Sequence, residues 1–236
     1  MNERLKYVSA SKLREFLTCP QRVKYRYVDE VDGELTKAQI DVMRVGSVFH
    51  AMVLEDAMPD EYEKLTKTFQ LRVVEMAEAL GREPLWRRGK GEAETEMNTQ
   101  TRDGVELKGF FDFVGEFNGE QAILELKTTG SLRMWNFWLV ENKIQPIIYP
   151  YIYWRTNGVI LPFYYAIVTT GPKPKTRFFR KLCTERDFVF LEEQIKLCKN
   201  SIDNDFFVAD PEEEKCDCCP YFKMCPSARQ KEYLDF

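Results

Sequence analysis

The segment GFFDFVGEFNGEQAILELK carries two acids and a lysine at a spacing that metal chemistry can use. Asn118-Gly119 between two apolar runs predicts a hairpin closed by a two-residue type I′ turn. That turn pairs Phe117 with Glu120 and sets Asp112 opposite Glu125. Lys127 then emerges on the face of Glu125, while Phe111, Phe113, Leu124 and Leu126 fall on the other, core-like face. Opposed carboxylates with Cβ atoms about 4.5–5.5 Å apart repel one another. A cation between them reverses the sign, and hard oxygen donors suit Mg²⁺ or Mn²⁺. A lysine beside such an ion can orient a water and stabilise charge developing at a phosphodiester. The plainer alternative is a solvated hairpin with ordinary surface charges. His50, the only histidine, sits in GSVFHAMVLE. A neutral imidazole can complete a shell that carboxylates begin, although a lone helical histidine is also often a packed or exposed residue. Glu55 lies off the helical line of His50 and reads at most as a supporting group.

The second chemical signal is the run CDCCPYFKMC, in which Cys216, Cys219 and Cys225 have C-x₂-C-x₅-C spacing. Cys19, in TCPQRVKY, is the fourth candidate, with Cys218 left open as a substitute. The N-terminal residues show no apolar stretch with a small-residue cleavage site, so a cytoplasmic setting with reduced thiols is expected. A Cys₄ zinc site is one outcome. Cys183 and Cys198 read as ordinary thiols whose replacement by alanine is neutral.

These groups need elements to hold them. The chain has 236 residues, 44% of them hydrophobic, enough for one large core. No apolar run reaches the length of a membrane span. The net charge of −4 does not advertise nucleic-acid binding, but a local basic groove matters more than the sum. Ser9 or Ser11 caps a first helix that stops before Pro20; a second runs through Ile40–Met58 and ends before Pro59; a third ends at Gly81. A strand meander over about 92–128 turns at Asp103-Gly104 and Asn118-Gly119, two helical stretches lie between Ser131 and Thr156, strands cover 160–169 and 176–182, and a long helix covers 184–203. This order predicts an α/β core with a mixed sheet flanked by helices. Lys173, Lys175, Arg177, Arg180 and Lys181 form one basic stretch, and Arg82, Arg87, Arg88 and Lys90 another near Trp86. Either could hold phosphates, or be a solvated face. The aromatic stretches MWNFW and YPYIYW read mainly as core, with base stacking the alternative.

Taken in order, these residues resemble a known set. GSVFHAMVLE resembles the G-x-x-x-H helix of the RecB-like exonuclease branch of the PD-(D/E)xK nuclease superfamily. GFFD resembles that branch's G-x-x-D strand, ELK its D/E-x-K strand, and QPIIY its Q-x-x-x-Y helix. Prolines 146 and 150 depart from a regular helix there, because they remove N–H donors. The resemblance implies a restriction-endonuclease-like core and two-metal hydrolysis of DNA. By that comparison His50, Asp112, Glu125 and the backbone carbonyl of Leu126 would bind metal and Lys127 would be catalytic; Gln145 and Tyr149 and, from the basic stretch, Lys173, Lys175 and Arg177 are the expected DNA contacts. Cys19 with Cys216, Cys219 and Cys225 is similar to the ligand set of the branch's iron–sulfur subset, which includes CRISPR-associated exonucleases and the AddB nuclease domain. That similarity favours a [4Fe–4S] cluster over zinc. A single nuclease domain over 1–236 is expected, with 1–35 and 205–236 joined by the cluster around a core of 36–204. The implied substrate is single-stranded DNA or DNA ends, in recombination, repair, phage or CRISPR processing, with recombination or CRISPR-adaptation proteins as candidate partners. A non-catalytic DNA-end-binding iron–sulfur subunit is the alternative.

Overall fold

The computed structural model describes residues 5–228 apart from Asp56 and Asn142; the expectations for residues 1–4 and 229–236 lie outside the described residues. A short strand β1 (Tyr7–Ser9) ends where the Ser9 hydroxyl accepts the Lys12 N–H at 3.3 Å and caps α1 (Ala10–Thr18). Pro20 stops α1 as expected but, at a first-turn position, opens α2 (Pro20–Val23) and a π turn through Val28. The next helix, α3 (Lys37–Leu54), starts before Ile40 because Thr36 and Gln39 form a reciprocal capping box, and it stops short of the expected end near Pro59. Then come α4 (Lys67–Gly81), β2 (Arg88–Gln100), β3 (Glu106–Phe117), β4 (Glu120–Thr129) and α5 (Phe137–Glu141). The chain continues through α6 (Gln145–Asn157), β5 (Phe163–Thr169), β6 (Thr176–Lys181), α7 (Glu185–Asp203) and α8 (Glu213–Asp217).

The strands form one mixed sheet in the order β1-β3-β4-β5-β6, with β2 on the far side of β3. Both β1 and β4 use the same edge of β3. Strand β1 pairs in parallel with Glu106–Lys108, and β4 pairs antiparallel with Phe113–Phe117. Residues 109–112 lie in the fork between them. Helices cover both faces. On one, Val45, Phe49, Val73 and Met76 of α3 and α4 pack on Phe113, Leu124, Leu126 and Tyr164. On the other, Leu13, Ile148, Ile152 and Leu191 of α1, α6 and α7 pack on Ile123, Phe163 and Tyr165. Among the described residues no helix is long and apolar enough to cross a membrane.

One facing expectation is corrected. Phe113, Leu124 and Leu126 do share the α3/α4 core, but Phe111 packs in the opposite core, with its ring 4.8 Å from that of Tyr149. Residues two apart on a regular strand share a face, so β3 rotates as it passes Asp112.

The prolines do not interrupt the Gln145–Tyr149 segment either. Pro146 sits in the first turn of α6, where a missing N–H costs nothing. Pro150 leaves the Pro146 carbonyl without its helical donor, and the Cys183 thiol donates to that carbonyl instead, at 3.1 Å. Burial pushes the Cys183 thiol up to about 12, so it stays protonated and able to donate. Replacement of Cys183 is therefore not expected to be neutral. Cys183→Ala is expected to lower unfolding free energy by about 1–3 kcal/mol, from the orphaned carbonyl and the small void. Equilibrium urea denaturation checks this; an unchanged midpoint would show that the carbonyl needs no donor.

Candidate active site and cysteine cavity

The site grows from strand register. Phe113 pairs with Leu124, as the Asn118-Gly119 turn requires, and both turn residues have positive φ, 51° and 85°. The ladder ends there, so Asp112 stands across from Glu125 one step beyond the last pair, at the fork. Freed from the ladder, the Leu126 N–H is taken at 2.7 Å by the Asp112 carboxylate. On the other flank Ala93 pairs with Phe113 and Thr95 with Phe111, which sets Glu94 opposite Asp112. Glu125 in turn pairs with Tyr165 of β5. Four strands thus contribute a row at one level of the sheet: Glu94, Asp112, Glu125 and Tyr165.

His50 reaches this row from α3, its Nδ1 3.6 Å from Asp112 Oδ2. One ligand-type atom from each of His50, Glu94 and Asp112 lies within 4.8 Å of the others. Glu125, only 3% exposed, accepts from Lys127 Nζ and from Gln145 Nε2 at 2.8 Å through Oε1, while its buried Oε2 has no hydrogen-bond partner among the described residues. Gln145 is itself oriented: its Oε1 accepts from the Tyr165 hydroxyl at 3.2 Å, and Nε2 lies 3.4 Å from the Tyr149 hydroxyl.

Burial sets the electrostatics. It raises Asp112 to about 6 and Glu125 to about 7, against the opposing pull of Lys127. Glu94, although exposed at the surface, is raised as well, by partial desolvation of its carboxylate and by the charges of Glu55 and Glu125. His50 falls to about 4, through burial and then the Lys127 charge, so its imidazole is neutral near pH 7 and free to act as a ligand. Carboxylates this short of compensation, with an orphaned buried oxygen among them, suit a hard divalent cation.

The structure gathers His50, Asp112, Glu125, Leu126, Lys127, Gln145 and Tyr149 in one place. Tyr149, expected to contact DNA, is only 6% exposed and lies in the interior beside Gln145. Gln145 and Lys127 open onto a groove of about 430 Å³ shared with Arg14, Trp135, Lys143 and Tyr165. Lys173, Lys175 and Arg177 line a different groove with Arg133, and Arg177 is engaged there by the carbonyls of Leu132 and Trp135. Much of the remaining basic stretch is tied up within the fold. Arg180 makes two bonds to Glu120, Lys181 is buried against Glu141, and Arg88 donates to the Leu54 carbonyl. Sequence reasoning missed Glu94, Arg14 and Lys143; only the observed β2–β3 register, one residue off the one that an Asp103-Gly104 turn implies, brings in the first.

The cysteines form a second cluster. Cys19, Cys216, Cys219 and Cys225, all half-buried, line one cavity with Arg22, Tyr25 and Lys215, and Cys19 Sγ accepts the Asp210 N–H at 3.3 Å. Cys218 is exposed and directed to the carbonyls of Glu214 and Lys215, outside that cavity. Nearby, the Glu34 N–H bonds the Pro220 carbonyl at 2.9 Å and Lys24 pairs with Asp205 at 3.1 Å, which ties the early and late segments together.

This architecture has solved counterparts. A candidate exonuclease from Eubacterium rectale superposes with a TM-score of 0.68 at 16% identity, over 98% of this chain and 92% of that one. The protein SSO0001 superposes with a TM-score of 0.54 at 17% identity, over 95% and 88%. No curated protein matches the sequence. At these identities the superpositions speak for the fold alone, but the sequence itself matches a family model over residues 7–226, and the chain is a member of the PD-(D/E)XK nuclease superfamily.

Proposed function

We propose that this nuclease hydrolyses DNA with Mg²⁺ or Mn²⁺ held by His50, Asp112, Glu125 and the Leu126 carbonyl, acting on single strands or ends. The observation that carries this reading is the buried Glu125 carboxylate, clamped between Lys127 and Gln145 with one oxygen left unpartnered beside Asp112 and His50. Bound there, a divalent cation supplies Lewis acidity toward a phosphodiester. Lys127 stabilises charge developing on the phosphoryl oxygens and orients the incoming water. Gln145 keeps the Glu125 rotamer fixed, and so positions rather than reacts. Arg14, Lys127 and Lys143 give the groove a positive wall that holds backbone phosphates without reading sequence.

The direct test is digestion of end-labelled DNA with Mg²⁺ or Mn²⁺. Asp112→Ala and Lys127→Ala are expected to lower the rate at least a hundredfold with folding intact, and linear single strands should be degraded while circles survive. Wild-type rates in either variant would remove the site assignment; equal rates on circles and lines would make the protein an endonuclease.

The raised acids also fix a stability signature. Glu125 ionises in the fold near pH 7 rather than near 4.5, so in metal-free protein its contribution is most favourable below pH 4.5 and is lost as pH rises through 7. Glu125→Gln should therefore be more stable than wild type at pH 8 by about 1–3 kcal/mol, with the advantage gone near pH 4. Thermal melts in chelator across that range check it, and a pH-independent difference would contradict it.

For the cysteine cavity we propose a [4Fe–4S] cluster on Cys19, Cys216, Cys219 and Cys225, acting as a structural clamp. Anaerobically purified protein should contain iron and sulfide and absorb in the visible region. Alanine at any of the four should lose this absorbance, and Cys218→Ala should keep it. Stoichiometric zinc without iron would overturn the proposal.

A further inference from the structure

The proposed metal set leaves Glu94 without a task, yet its placement is specific. It sits in the middle of β2 with φ of 48°, a left-handed conformation that a non-glycine residue rarely adopts inside a strand. Pairing on either side of it keeps a constant register, so no extra residue has been inserted to explain the turn. The conformation accompanies a carboxylate held opposite that of Asp112, where two like charges repel. The Lys127 ammonium is bonded to Glu125 and its charge also acts on Asp112, whereas Glu94 feels partial desolvation and the like charges of Glu55 and Glu125. Compensation in the row is therefore weakest at Glu94.

Three observations point to metal binding along this row. His50, Glu94 and Asp112 already bring one donor atom each to within 4.8 Å of the others. One of the three donors is the His50 imidazole, brought from α3, a nitrogen ligand that an accidental patch of surface acids would lack. The neighbouring Glu125, 3% exposed, presents a buried oxygen with no partner, and that oxygen belongs to a carboxylate outside the three-donor group. We infer that His50, Glu94 and Asp112 form a divalent-cation position of their own, with Glu94 as a metal ligand contributed by β2, beside a second position at Asp112 and Glu125. This rests on the nuclease reading above and assigns a further residue to it.

Calorimetric titration of Mn²⁺ into the full chain, with wild type, Glu94→Gln, Glu94→Gly, Asp112→Asn and Glu125→Gln, tests this without measuring cleavage. Wild type should bind two ions. Both Glu94 variants should lose one, or bind it at least tenfold more weakly, and Glu125→Gln should weaken the other. Asp112→Asn should weaken both. Glycine at 94 also relieves the left-handed backbone, so Glu94→Gly should melt higher than Glu94→Gln in chelator while showing the same loss of binding. That comparison separates a lost ligand from a damaged fold. Wild-type stoichiometry and affinity in both Glu94 variants, with binding lost in Glu125→Gln, would remove Glu94 and leave the nuclease site standing. A single ion in wild type would overturn the two-position arrangement, and no ion at all would take the proposed metal site with it.

Discussion

Like-charge repulsion across the sheet is the constraint around which this molecule is arranged. Glu94, Asp112 and Glu125 occupy neighbouring strands at one level, and Glu125 is almost wholly removed from water. Taken alone, such a row opposes folding. The fork between β1 and β4 makes it tolerable, because at residues 109–112 the strand edge is open and Asp112 can take a backbone N–H that the ladder would otherwise consume. The rotation of β3 at this level lets Phe111 and Phe113 enter opposite cores, so hydrophobic packing on both faces holds the strand where the acids alone would push it away.

The groups around the row are arranged to the same end. Lys127 offsets Glu125, and Gln145 is fixed in turn by the Tyr165 hydroxyl. For Gln145 to reach Glu125 it must open α6, and Pro146 in that first turn is compatible with a helix starting there. The second proline then requires a substitute donor, which Cys183 provides. A sequence feature that looks like a break in the helix is satisfied by a contact from a residue far along the chain.

That pattern explains what could be read from residues alone. The β3–β4 hairpin was legible because Asn-Gly admits essentially one tight turn, and its register delivers Asp112, Glu125 and Lys127 together. The β2–β3 hairpin was not. Asp103-Gly104 suggests a two-residue loop, which would set Thr95 opposite Asp112. The observed connection leaves Gln100–Glu106 as the last pair, and the Thr101 hydroxyl accepts the Val105 N–H inside a longer loop. A one-residue difference in register decides whether Glu94 enters the site at all. The capping box at Thr36 and Gln39 was present in the sequence and marks the true start of α3. The strand β1, with three residues, is too short for any alternation to show, and only its pairing with β3 defines it.

The cysteine cavity has to be understood in relation to the same fork. None of the metal-ligand candidates comes from the segments that carry Cys19 or the C-terminal cysteines; they come from α3 and from strands β2, β3 and β4. What Cys19 adjoins is α1, which begins where β1 leaves the fork and whose Arg14 and Thr18 form one wall of the groove at Lys127. Short helices are marginal by themselves, and α1 has nine residues, capped by Ser9 at one end and followed by Cys19 at the other. Anchoring Cys19 beside the C-terminal cysteines therefore fixes the far end of a groove wall rather than the ligands. On the proposed reading the two clusters would divide the work: the acidic row would hold the metal at which a phosphodiester is attacked, and a group bound by the cysteines would hold in place the helix that walls the groove.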